Sequence, residues 1–250
     1  VDVSKPTAEI QPTMYGIFFE DINFGADGGL YAELVKNRSF EFPQPFVGWV
    51  PFGNVSVQSE KPCFERNPHY VRVVNDGRLL RAGLDNEGFT GIGLKEGEEY
   101  RFSVYARTQD AAPMKLSVEL VRKDGSNPLK KTVEVKGDEW QKQTVILKSP
   151  FTDAHARLRI VLETKGTVDM DHISLFPVKT WKGRENGLRT DLAQALYDLN
   201  PGVLRFPGGC IIEGNSLATR YQWKNSVGPV ENRPLNENRW NYTFKHKAFP

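Results

Sequence analysis

The stretch from about residue 46 to 178 constrains the fold most, because it reads as strand after strand with no helical periodicity between them. Runs at 71–74, 100–107, 115–122, 131–135, 143–147 and 156–163 are rich in β-branched and aromatic residues, and Ile173-Ser174-Leu175-Phe176 closes the series. Phe102, Val104 and Ala106 alternate with polar neighbours, as residues of a strand buried on one face do. Asn75-Asp76-Gly77, Lys95-Glu96-Gly97, Asp124-Gly125 and Lys136-Gly137-Asp138 supply the turns. The pattern predicts an antiparallel β-sandwich.

The flanks follow a different grammar. Met14-Tyr15-Gly16-Ile17-Phe18-Phe19-Glu20 is a short apolar run ending in an acid, which predicts a fully buried strand with chemistry at its C-terminal end. Asp27-Gly28-Gly29 offers a turn and cap, and Leu30, Leu34 and Val35 predict a short helix running to Asn37. After Pro177, residues 190–199 form an amphipathic helix capped by Thr190 or Asp191 and stopped by Asn200-Pro201-Gly202. Val203-Leu204-Arg205-Phe206 then predicts a second buried strand running into Pro207-Gly208-Gly209. Residues 214–250, with Trp223, Gly228-Pro229, Trp240 and Tyr242, read as a long loop. The order strand, sandwich, helix, strand describes an α/β unit at 1–45 and 179–250 interrupted by an inserted sandwich at 46–178.

Charge narrows the partner. The 250 residues hold 33 Lys and Arg against 31 Asp and Glu, without the concentrated basic footprint of a nucleic-acid binder, so a neutral partner such as a sugar is expected. Cys63 and Cys210 lack metal or redox spacing, as do His69, His155, His172 and His246, and no cofactor is expected. No apolar run approaches the roughly 18 to 20 residues of a membrane helix, so no membrane partner is expected. No signal peptide opens the chain, yet it starts at Val1 and not Met, which reads as a processed or trimmed sequence.

Two segments carry a family resemblance: Gly16-Ile17-Phe18-Phe19-Glu20-Asp21-Ile22-Asn23 with Gly28-Gly29-Leu30-Tyr31-Ala32-Glu33-Leu34, and Leu204-Arg205-Phe206-Pro207-Gly208-Gly209-Cys210 with Glu213-Gly214. They resemble the glycoside hydrolase family 51 α-L-arabinofuranosidases, and Trp223 followed by Val227-Gly228-Pro229 fits as well. The resemblance implies that both motifs sit on the first strands of a (β/α)8 barrel, with a sandwich like a carbohydrate-binding module inserted between them. Residues 1–45 would then be the first barrel strand and helix, and 179–250 its continuation. It also implies a secreted or periplasmic enzyme that removes terminal arabinofuranosyl side chains from arabinan, arabinoxylan or their oligosaccharides.

The resemblance makes Glu20 a ligand for arabinose hydroxyls at a strand C-terminus, where barrel enzymes build their sites. By resemblance Arg205 and Cys210 would shape the same site around the Pro-Gly-Gly turn. The glycines would let backbone approach a ligand. Asp21 is not a catalytic partner of Glu20, because adjacent strand residues point to opposite faces. Retaining glycosidases need two carboxyl groups about 5 to 5.5 Å apart, and the family's Gly-Asn-Glu acid/base motif does not occur here. Glu213 is expected to anchor a loop, and the catalytic carboxylates are expected beyond Pro250. In the sandwich, Trp49, Phe52, Tyr105 and Trp140 read as core residues or sugar platforms. Asp169 and Asp171 suggest a structural calcium site, though two carboxylates fall short of six to eight oxygens and solvent exposure is the plainer expectation. A sugar-binding protein without catalysis and a barrel glycosidase acting on glucans or xylans remain open. The two barrel strands are expected to be covered by the sandwich and tail, or by another copy in a homo-oligomer.

Overall fold

The computed structural model describes residues 3–78, 81–126 and 129–236. Residues 237–250, which include Trp240, Tyr242 and His246, lie outside them. In chain order the strands are β1 (Gly16–Phe18), β2 (Trp49–Phe52), β3 (Asn54–Gln58), β4 (Tyr70–Asn75), β5 (Ala82–Asn86), β6 (Ile92–Leu94), β7 (Glu99–Arg107), β8 (Met114–Val121), β9 (Leu129–Val135), β10 (Gln141–Lys148), β11 (Asp153–Leu162), β12 (Gly166–Pro177) and β13 (Val203–Arg205). The α-helices are α1 (Thr190–Asp198) and α2 (Cys210–Glu213).

Strands β2 to β12 form the sandwich. One sheet has the order β10-β7-β12-β4-β3; the other runs β2-β5-β11-β8-β9, with β6 added on β11. Every pairing in these two sheets is antiparallel. The core is built by alternation: Phe102, Val104 and Ala106 of β7 meet Leu116, Val118 and Leu120 of β8 and Leu158, Ile160 and Leu162 of β11, all fully buried. In β12 the inward residues are Val168 and Met170, then Ile173 and Leu175. The change of phase is a bulge between Asp171 and Ser174 with His172 at φ 48°, which keeps both halves of the strand apolar toward the core.

The bulge also divides the strand's neighbours. Its first half pairs with β4, and beside its second half runs the segment 33–38, with Leu34 N donating to Leu175 O at 3.0 Å and Ile173 N to Arg38 O at 2.9 Å. This segment is extended chain and turns, so the helix expected over 27–37 is not formed. The apolar residues at Leu30, Leu34 and Val35 meet the sandwich from an irregular path, stabilised by burial of Val35 against the core. Glu33 is fully buried here and accepts hydrogen bonds from Val35 N, Leu175 N, Ser174 Oγ and Arg38 Nη1.

Strands β1 and β13 form a separate parallel pair with Ile17 opposite Leu204. The expectation that both are buried is corrected by the structure: Phe18, Val203 and Leu204 are 56%, 51% and 58% exposed. Among the described residues, no layer covers the faces of this pair. The helix at α1 is formed, but Arg189 occupies its N-cap, without a side-chain cap bond, and Asp191 instead chelates the Arg189 guanidinium. Asn200 ends it in the left-handed conformation at φ 47°.

Candidate functional site

Parallel pairing brings the C-terminal ends of β1 and β13 together, and the ladder continues past both strands. Phe19 N donates to Arg205 O at 2.9 Å and Asp21 N to Pro207 O at 3.0 Å, so Glu20 stands between two anchored amides. Its side chain reaches across the turn, where Oε1 accepts from Gly209 N at 3.1 Å. Gly208 is at φ 144°, and a Cβ there would lie 2.4 Å from Glu20 Cγ. The glycine therefore admits the Glu20 side chain as well as the backbone bend.

Arg205 is exposed, with its guanidinium over the Phe18 ring at 4.8 Å. Cys210 is half-buried, carries a free thiol and opens the short α2. Glu213, at the end of α2, is exposed. Glu20, Arg205 and Cys210 thus share one rim, with carboxylate and guanidinium on adjacent strand ends.

The chain after Glu20 is a tight loop. Asp21, like Glu20, lies beyond the end of β1; it is buried and its Oδ1 accepts Ala26 N at 2.9 Å, closing its own turn. Behind this loop, a cavity of about 30 Å³ is lined by Asp27, Arg38, Asn67, His172 and Arg233 among others, room enough for a water. Among the described residues, Asp27 Oδ1 has no hydrogen-bond partner. Burial pushes its carboxyl up to about 7, with Arg38 opposing and Glu33 and Asp21 adding to the rise. Asp27-Gly28-Gly29 has the local character of a turn and cap, and nothing in it reveals that Glu33, Arg38 and Asp21 converge on Asp27.

The aromatic residues singled out in the sandwich are engaged within the protein. Trp49 is core, its Nε1 donating to Asn37 O. Phe52 lies under the Arg159 guanidinium. Tyr105 packs edge-on against Phe64 and donates to Glu231, while Trp140 is half-buried over the Arg107 guanidinium at 4.4 Å. Asp169 and Asp171 are both buried, against the expectation of exposure. Asp169 Oδ1 accepts from Arg72 Nε at 2.6 Å, and its Oδ2 from Arg72 Nη2 at 2.9 Å and Arg107 Nε at 3.0 Å. Two guanidiniums already satisfy that carboxylate, so the pair does not make a calcium site. Burial holds the Asp171 carboxyl well above the usual range, despite a hydrogen bond from His172 N. Among the described residues, no cluster of three or more metal-ligating side chains occurs, and no helix is long and apolar enough to cross a membrane.

Comparison with known proteins gives two family matches, the "Carbohydrate binding domain" over residues 32–169 and the "Alpha-L-arabinofuranosidase 1 domain" over residues 195–249. The chain is 38% identical to an extracellular exo-α-L-arabinofuranosidase of Streptomyces chartreusis, covering 97% of this chain and 30% of that protein. It is also 38% identical to α-L-arabinofuranosidase 1 of Arabidopsis thaliana, with 90% and 35% covered. Among solved structures it superposes on an arabinose-bound MgGH51 α-L-arabinofuranosidase with a TM-score of 0.86 and 31% identity, covering 94% of this chain and 40% of that one. The chain therefore spans about a third of the length of these curated relatives.

Proposed function

Because residues 32–169 belong to the carbohydrate-binding domain family and the whole chain matches the N-terminal part of a family 51 α-L-arabinofuranosidase, we propose that it serves the arabinose site of such an enzyme. In this reading β1 and β13 are the first strands of a (β/α)8 barrel, formed by residues 1–45 and 179–250, with the sandwich inserted at 46–178. The enzyme removes terminal arabinofuranosyl groups from arabinan or arabinoxylan by a retaining, two-step displacement. A secreted or periplasmic location suits that substrate, and the Streptomyces relative is named extracellular.

The observation that carries the reading is the carboxylate of Glu20, held by Gly209 N at the shared C-terminal end of two parallel strands. Barrel enzymes assemble their sites at this end. A carboxylate offers about four acceptor sites, so one that accepts a backbone amide can also accept sugar hydroxyls, and bonds from hydroxyl to carboxylate are of the stronger, charge-assisted kind. Arg205 borders the same rim; Gly208 makes room for the Glu20 side chain, and the half-buried Gly209 presents backbone without a Cβ to a sugar ring. Glu20 binds and does not break the bond; the acid/base and nucleophile are separate carboxylates, and the acid/base's Gly-Asn-Glu signature is not found in these 250 residues. The alternative, a sandwich that binds sugar without catalysis, is less favoured because Trp49 is core and the half-buried Phe52, Tyr105 and Trp140 already contact Arg159, Glu231 and Arg107.

The test is turnover of 4-nitrophenyl α-L-arabinofuranoside by the full-length protein and by Glu20→Gln. Hydroxyl contacts that strengthen in the transition state are worth several kcal/mol, so kcat/KM should fall by roughly 10²-fold or more. Absence of turnover in the unaltered protein, or unchanged kinetics in the variant, would overturn the assignment.

A further inference from the structure

The loop at 87–91, between β5 and β6, carries an aromatic ring out of the sandwich and onto the loop that follows Glu20. Phe89 meets Phe24 edge-to-face, with ring centroids 5.1 Å apart. It also lies directly on Gly28, where a Cβ would come 2.2 Å from Phe89 Cδ2. Phe89 and Gly28 fit each other as ring and vacancy.

Both partners are rooted. Asn86, fully buried at the end of β5, accepts from Gly88 N at 2.9 Å and Lys36 N at 3.2 Å, and donates to Lys36 O at 3.0 Å. Lys36 in turn places its Nζ 4.7 Å from the centroid of the Phe24 ring. The loop it holds needs holding. Asn23 and Phe24 are consecutive left-handed residues at φ 53° and 63°, and a bulky side chain in that region is strained unless its surroundings compensate. Asp21 Oδ1 closes the same turn on Ala26 N, next to Glu20 in sequence.

We propose that Phe89 is a positioning residue of the arabinose site: packed on Gly28 and Phe24, it locks the left-handed turn after Glu20 and thereby fixes the Glu20 carboxylate for the sugar. The inference rests on the reading of Glu20 given above, and it makes the inserted sandwich a working part of the site. Phe89 touches no substrate. It acts through a path of contacts, from Phe89 to Phe24 and Gly28, through the turn closed by Asp21, to Glu20.

Two readouts on the full-length protein test it. Hydrogen exchange at the amides of 21–30 should accelerate about tenfold in Phe89→Ala while the sandwich strands keep their protection, and kcat/KM should fall by about the same factor. Phe89→Tyr, which keeps the ring, should restore both. Gly28→Ala, which pushes on the contact from the other side, should reproduce both losses, so the conclusion does not depend on one variant folding well. Faster exchange with unchanged kcat/KM would make Phe89 a packing residue only and overturn the proposal, as would unchanged exchange. Unchanged kinetics in Glu20→Gln would instead remove the arabinose reading, leaving the exchange data to decide the Phe89 coupling on its own.

Discussion

A Cβ on Gly208 would stand 2.4 Å from Cγ of Glu20, so the position of the carboxylate and the absence of a side chain two residues before Cys210 are one structural fact. Gly208→Ala must either rotate Glu20 away or bend the turn, whose φ of 144° already disfavours alanine. Displacement of a substrate-holding group by about 1 Å costs on the order of 10²-fold in rate. We expect kcat/KM of the full-length protein to fall by that order in Gly208→Ala, with circular dichroism unchanged; full activity would mean that Glu20 has room the geometry does not show.

Asp27 should make stability fall as pH rises. Its carboxyl titrates at about 7 in the fold and near 3.9 when unfolded, so between these values the native state binds the extra proton. Unfolding then releases it, and stability drops by at most about 1.4 kcal/mol per pH unit on going from pH 4 to 7, levelling off above. Asp27→Asn should flatten this slope. Urea unfolding at several pH values measures it, and an unchanged slope would place the titration elsewhere.

The Asp169 carboxylate, held by Arg72 and Arg107, should contribute to stability without any metal. Asp169→Asn leaves the buried Arg107 without its anion and should cost about 3 kcal/mol. Added calcium or a chelator should leave the melting temperature where it is. A rise in melting temperature with calcium would restore the metal reading of Asp169 and Asp171.

Exposure of Phe18, Val203, Leu204 and Phe206 predicts self-association of the 250-residue chain. Apolar side chains on an open strand pair invite strand addition. Light scattering over a wide concentration range should show growing mass, reduced in the double variant Phe18→Ser with Leu204→Ser. A monomer at all concentrations would refute it.

The sandwich was legible because its signal is local. Alternation in β7, β8 and β11 needs only the sequence, and the expected strands at 71–74, 100–107, 115–122, 131–135, 143–147 and 156–163 all fall on observed ones. β2, β5 and β6 are short and carry Pro51, Gly83 and Gly93, which interrupt their pattern, whereas β3 is five residues whose Val55 and Val57 alternate too briefly to stand out. The segment 27–37 misled because its apolar residues obey helical spacing while the burial they satisfy is set by the distant edge of β12. Glu20 stood out at the end of an apolar run. Phe89 did not, although an aromatic residue between Gly88 and Gly91 in a polar loop is the kind of signal that marks an anchor.

The parallel register of Gly16 on Val203 joins residues from nearly opposite ends of the described chain. Closing a loop of that span in a disordered chain carries a large entropic cost that few contacts in so short a ladder can offset. Once the sandwich has folded, its compact body stands in for most of the intervening chain and the effective loop shrinks to the two flanking segments. The order of events follows as an expectation: sandwich first, β1 on β13 second, with pulse-labelled exchange showing the amides of Phe19 and Asp21 protected later than those of β7 and β11. The sandwich between the two strands would then act as the clasp that makes the chain's most remote ladder kinetically accessible.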